Sequence, residues 1–71
     1  MQITLPNRRT VTLTNLATFG DFTVGDIPRG GSAIVFNGKC YDTRSNRKYA
    51  EWCASNFTAE HATRHMKRMG A

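Results

Sequence analysis

Apolar and polar residues alternate from the start of the chain. Gln2–Leu5 places Ile3 and Leu5 on one side of an extended backbone. Thr10–Thr14 places Val11 and Leu13 inward and Thr10, Thr12 and Thr14 outward. Pro6-Asn7 between them presets a turn, because proline fixes φ and asparagine tolerates the second turn position. The two runs are expected to pair as a hairpin. Asn15–Thr18 has no clear period. Gly20–Gly25 carries Phe22 and Val24 at period two and reads as a third strand.

Ile27–Ser32 is a loop by its proline and glycines. The strongest local signal follows. Ala33–Phe36 runs into Asn37-Gly38 and then Lys39–Thr43, and Asn-Gly is the preferred two-residue hairpin turn because both positions favour positive φ. That turn predicts Phe36 opposite Lys39, Val35 opposite Cys40 and Ile34 opposite Tyr41. Ile34, Phe36 and Tyr41 then share one face, and Val35 and Cys40 share the other. Both faces are apolar, so the hairpin should be central, with a helix on one side and a second layer or a partner on the other.

Beyond Thr43 the period changes. Ser45 is placed to cap a helix over about Asn46–Ser55, with Tyr49, Trp52 and Cys53 as its apolar stripe. The stripe breaks near Asn56. Thr58 offers a second N-cap, with Phe57 able to pack back on Ala62. A helix over Ala59–Met69 follows, showing Ala62, Met66 and Met69 on one face and ending at Gly70. The expected fold is α+β: a small antiparallel sheet of about four strands followed by two short C-terminal helices packing on it, a single domain over residues 1–71. The predicted core is Val11, Leu13, Phe22, Ile34, Phe36, Tyr41, Tyr49 and Trp52.

Size and composition narrow this picture. The 71 residues read as one whole small protein, 39 % apolar, enough for a globule but with a thin core. A homodimer or a tightly held partner would help such a chain. No run approaches the length of a membrane span, the alternating first residues show no signal-peptide h-region, and two cysteines are too few for a secreted disulfide scaffold. The expectation is a cytoplasmic protein with both thiols reduced and no membrane partner.

Ten Lys and Arg against five Asp and Glu give a net charge of +5, which favours an anionic partner. Arg44, Arg47 and Lys48 crowd the start of the first helix with no acid in the first turn. The helix dipole disfavours cations there, so the three should be mildly costly unless they hold an anionic group. Arg64, Lys67 and Arg68 form a second cluster, which complements the dipole at the end of the second helix; Glu60 to Arg64 is also a favourable spacing. Arg8, Arg9 and Arg29 sit at loop tips, where binding residues concentrate.

Other chemistry is thin. Cys40, Cys53, His61 and His65 are metal-ligand types, but twelve residues separate the cysteines and no C-x-x-C knuckle is present. Cys53 fits the helical core stripe instead. Tyr41, Tyr49 and Trp52 are types that stack on bases, although their spacing favours the core. No acid is placed to orient either histidine, and no phosphate-binding glycine loop or nucleophile elbow occurs. The helix pair lacks the turn glycine of a helix-turn-helix and carries Glu60 on the outer face of its second helix. The sequence therefore leads to a small basic binding protein, not an enzyme, with no cofactor and no metal. The expected partner is nucleic acid, contacted at its phosphates through a basic face. The alternative is an inhibitor or adaptor, of the kind phage or mobile elements encode, that sets the same face on an acidic protein surface.

Overall fold

The computed structural model describes residues 1–68 of the chain. Its elements run β1 (Gln2–Thr4), β2 (Thr10–Thr12), β3 (Thr14–Phe19), β4 (Phe22–Asp26), β5 (Ser32–Phe36), β6 (Lys39–Arg44), α1 (Arg47–Asn56) and α2 (Ala59–Arg68). Strands β3 to β6 form a four-stranded antiparallel meander, and β1 and β2 pair as a separate two-stranded sheet. The expected α+β architecture is the one observed.

The hairpin at Pro6-Asn7 forms as its residues require. The Arg8 N–H donates to the Leu5 carbonyl at 2.8 Å, and Arg8 itself takes positive φ. This is the three-residue loop in which a left-handed residue follows a tight turn. The stretch expected as one strand over Thr10–Thr14 bends at Leu13, whose N–H donates to the Met1 carbonyl at 2.7 Å. Leu13 is buried, and Thr14 already belongs to β3. Asn15–Thr18, which shows no period in the sequence, forms most of β3. The edge position explains this, since only Ala17 and Phe19 on that strand are even partly buried. The strand read over Gly20–Gly25 lies at Phe22–Asp26, with the turn at Gly20-Asp21.

All five residues of β5 are buried. On one face Ile34 and Phe36 join Phe22 and Val24 of β4 against Ala50, Cys53 and Ala54 of α1 and Ala62 of α2. On the other, Ala33 and Val35 meet Ile3 and Leu13, with Val11 and Cys40 at the margin. The second layer is thus the chain's own β1–β2 hairpin. Gly25, buried in β4, makes room for it: a Cβ there would lie 2.7 Å from both Leu13 Cβ and Leu16 Cδ2.

The Asn37-Gly38 turn sets Phe36 opposite Lys39 and Val35 opposite Cys40, but Ile34 faces Asp42 instead of Tyr41 because β6 slips by one residue at this point. Such a bulge redirects side chains. Tyr41 still packs with the helix-covered cluster, 5.7 Å from the Phe22 ring and 5.2 Å from Phe57.

Three helical expectations are corrected. Asn46, not Ser45, caps α1, its Oδ1 accepting from the Tyr49 N–H at 2.9 Å. Tyr49 and Trp52 are not core: they are 51 % and 61 % exposed. The buried stripe is Ala50, Cys53 and Ala54, continued by the half-buried Phe57. Small residues let the helix axis approach the sheet, and the bulky rings at neighbouring angles are left outside. The Thr58 cap of α2 is present, its Oγ1 accepting from the His61 N–H at 3.2 Å. Met69 and Gly70, read as the last core position and the helix stop, lie outside the described residues.

Candidate functional site

The three cations at the start of α1 have different surroundings. Arg47 points inward. Its Nη1 lies 2.7 Å from Asp26 Oδ1 on β4, its Nε lies 3.0 Å from Glu51 Oε2, and its Nη2 donates to the Asn15 carbonyl at 2.7 Å. The Asn15 amide and then the Arg47 guanidinium hold the Asp26 carboxyl below its ordinary value. Serine 32 adds a hydrogen bond to Asp26 at 3.3 Å. Arg47 therefore ties the helix start to β3 and β4. The expected local cost of this cation is offset by Glu51 one turn along the helix and by Asp26, which only the fold brings near, and its donors are committed within the chain.

Lys48 is exposed and, among the described residues, makes no ion pair. Arg44 is intermediate. One Nη reaches Asp42 Oδ2 at 2.8 Å and the other donates to the Thr43 carbonyl at 3.2 Å. Its Nε is buried and, among the described residues, has no hydrogen-bond partner. The guanidinium carbon lies over the Tyr49 ring, 5.5 Å from its centroid, a cation–π position. The Trp52 ring stacks on Tyr49 in turn, centroids 6.0 Å apart and planes 9° from parallel. One turn of α1 thus presents two flat, exposed, parallel aromatic rings with Arg44 over the first. A size-based reading of the helix pattern hides this pair. The signal that would have found it is the run Ala50, Cys53, Ala54 and Phe57, a complete helical stripe of its own.

Arg44 also lines an open groove of about 1000 Å³. Its walls are the tip of the β1–β2 hairpin, the Ile27–Gly31 loop and the end of β6, and Arg9, Arg29 and Arg44 all border it. Arg9 and Arg29, spaced far apart in the sequence, therefore meet along one concavity, while Arg44 turns its guanidinium to Tyr49. Gly31 is required here. Its φ is +84°, and a Cβ would press to 3.1 Å from the Arg44 carbonyl oxygen. Arg8 is exposed in the hairpin turn beside Arg9.

The remaining candidates stand elsewhere. Arg64 and Lys67 are exposed on α2, with Arg64 3.7 Å from Glu60, and neither borders the groove. Arg68 closes the same helix. The sheet divides the two cysteines: Cys53 lies in the helix-covered cluster and Cys40 on the hairpin side. Both are free. Burial, and secondarily the Asp42 carboxylate, push the Cys40 thiol up, away from reactive thiolate character. His65 packs against the Tyr41 ring at 5.3 Å. Among the described residues no group of three His, Cys, Asp or Glu side chains comes together in a way that could hold a metal ion. None of the described helices is long and apolar enough to cross a membrane.

Comparison with protein-family models, with curated protein sequences and with solved structures gave no match.

Proposed function

We propose that the chain is a non-catalytic nucleic-acid-binding protein that uses the arginine groove and the outer face of α1. The observation that carries this reading is the meeting of Arg9 and Arg29 along one groove, with the exposed Tyr49–Trp52 stack on α1 as a second feature. Cations and exposed aromatics are the two ingredients that nucleic-acid binders combine: charge for the phosphates and flat rings for the bases. Lys48, exposed on the same helix, adds to the charge. Arg47 and Arg44 are left out as phosphate contacts, because their outer donors are already engaged within the chain.

Binding of this kind responds to salt. With three or four phosphates neutralised, log affinity falls against log salt with a slope of about −2 to −4, and each single substitution among Arg9, Arg29 and Lys48 by Ala reduces that slope by about one phosphate. Titration of labelled oligonucleotides across a salt series reads both. Affinity for no oligonucleotide, even at low salt, sinks the proposal.

A second reading has one observation in its favour. Trp, Tyr and Arg are the residues that dominate protein-interface hot spots, and Arg44, Tyr49 and Trp52 form such a group. An inhibitor or adaptor using it would dock on an acidic protein surface. Its complex would survive nuclease treatment and keep much of its affinity as salt rises, which separates the two readings in one experiment.

A further inference from the structure

Resting on the nucleic-acid reading, we infer that the ligand is a single strand, with a base stacked on Trp52. A cationic face alone is indifferent to strandedness, because duplex and single strand both present phosphates. The aromatic pair is not indifferent. Tyr49 and Trp52 lie within 9° of parallel and remain 51 % and 61 % exposed, so a flat ring surface is open to a planar partner. In a duplex the base faces are already stacked on one another, and only the helix ends offer them. In a single strand every base has a free face.

The geometry also orders the contacts. The guanidinium of Arg44 is fixed on three sides, by Asp42, by the Thr43 carbonyl and by the Tyr49 ring. With Arg44 and Trp52 both against Tyr49, the more exposed ring surface left for a base is that of Trp52. The molecule measures only 29 × 25 × 18 Å, so the contact is short, near the lower end of the roughly 4–16 nucleotides that small single-strand binders cover. The stack recognises a base face, which every nucleotide has, so DNA and RNA strands share the chemistry that this site reads. A 2′-hydroxyl contact would show only as a difference between the two.

Trp52 is the one tryptophan of the chain, so its fluorescence reports on the site without any label. The native protein is titrated at low salt with oligothymidylate, with oligouridylate and with a fully paired hairpin duplex. The expected result is saturable quenching by the single strands, little quenching by the duplex, and tighter binding of the single strands. By anisotropy of a labelled strand, Trp52→Ala and Trp52→Leu should each lose roughly 5- to 150-fold in affinity, whereas Trp52→Phe, which keeps an aromatic face, should retain most of it. Unchanged melting of all three variants shows that the loss is not unfolding. If duplex and single strand bind equally and Trp52 is not quenched, the single-strand inference is overturned while the basic-face reading stands. If neither binds, both fall. Equal loss in Trp52→Phe and Trp52→Leu also overturns the stacking inference. Preference for oligouridylate or oligothymidylate assigns the strand chemistry and leaves the stack intact.

Discussion

The two sides of α1 carry similar residues to opposite ends. On the inner side Arg47 is held by Asp26, Glu51 and the Asn15 carbonyl, above Ala50, Cys53 and Ala54, which rest on the sheet. On the outer side Lys48 has no ion pair among the described residues, and the largest side chain of the helix, Trp52, is mostly in solvent. Packing is carried by small residues and display by large ones. The lesson is that bulk does not choose the buried face of a helix on a flat sheet; closeness of approach does. A cation at a helix start is likewise costly or stabilising according to what the sheet beneath it offers.

The sharpest way to break this contrast is to truncate one aromatic from each side of it. Phe22 lies 1 % exposed beneath the helices, packed against Phe36 and Phe57. Phe22→Ala should cost about 3–5 kcal/mol, enough to unfold much of a domain this small. Trp52→Ala removes a larger side chain and should cost under about 1 kcal/mol, since what it loses is one exposed stack. Chemical denaturation of the two variants checks this. Equal losses would place Trp52 back in the core.

Gly25 tests the other face of the sheet. Gly25→Ala drives a methyl into Leu13 and Leu16 and should cost about 1–3 kcal/mol by overpacking, with no effect on the α1 surface beyond the shared loss of stability.

The inner cation comes next. Arg47→Glu replaces the partner of Asp26 and Glu51 by a like charge. It should lower the melting temperature by roughly 5–10 °C, on a scale where 1 kcal/mol moves a domain this size by about 4–8 °C. The pH dependence follows from the same contacts. The Asp26 carboxyl is held below its ordinary value of 3.8, so its stabilising contribution is fully present above that value and is lost as the pH falls through and below it. A pH series of melts on the native protein should show that acid loss. In Arg47→Glu its sign should reverse, because protonation then relieves carboxylates crowded at one place.

How much of this was legible in the sequence depends on the range of the interactions. Asn37-Gly38 was legible because a two-residue turn needs only its own φ angles, and Thr58 because a cap needs only the next three residues. The slip of β6 at Tyr41 was not, since nothing local distinguishes Tyr41 from Asp42 as the partner of Ile34. For α1, Tyr49, Trp52 and Cys53 and the smaller set Ala50, Cys53 and Ala54 are stripes of the same period, one position apart. Only the flat, wide β4–β5 surface selects the smaller one. The candidate site was half legible for the same reason. Arg44, Lys48, Arg9 and Arg29 stand out one at a time by charge. The meeting of Arg9 and Arg29 along a groove depends on the break at Leu13 and the loop at Gly31, which bring the hairpin tip beside the end of β6. The pairing of Arg47 with Asp26 spans twenty-one positions and left no local trace.

The outer cation gives the smallest effect on stability and the cleanest sign. Lys48 sits in the first turn of α1, where no acid is present and the free N–H groups carry partial positive charge. Lys48→Glu removes a cation that no acid among the described residues pairs and supplies the charge the dipole favours. It should stabilise the free protein by about 0.3–1 kcal/mol at low salt, and the gain should fade as salt screens it. Its neighbour Arg47 must respond in the opposite sense to the same substitution, so the pair of variants isolates surroundings from position. Binding adds a second axis. If the outer face of α1 meets phosphates, Lys48→Glu weakens oligonucleotide binding while the protein melts higher. That combination cannot arise from damage to the fold. A higher melting point with unchanged affinity would remove Lys48 from the contact surface and leave the groove arginines to carry it. A lower melting point would mean that Lys48, like Arg47, is held by an acid, and that the two sides of the helix differ less than their burial implies.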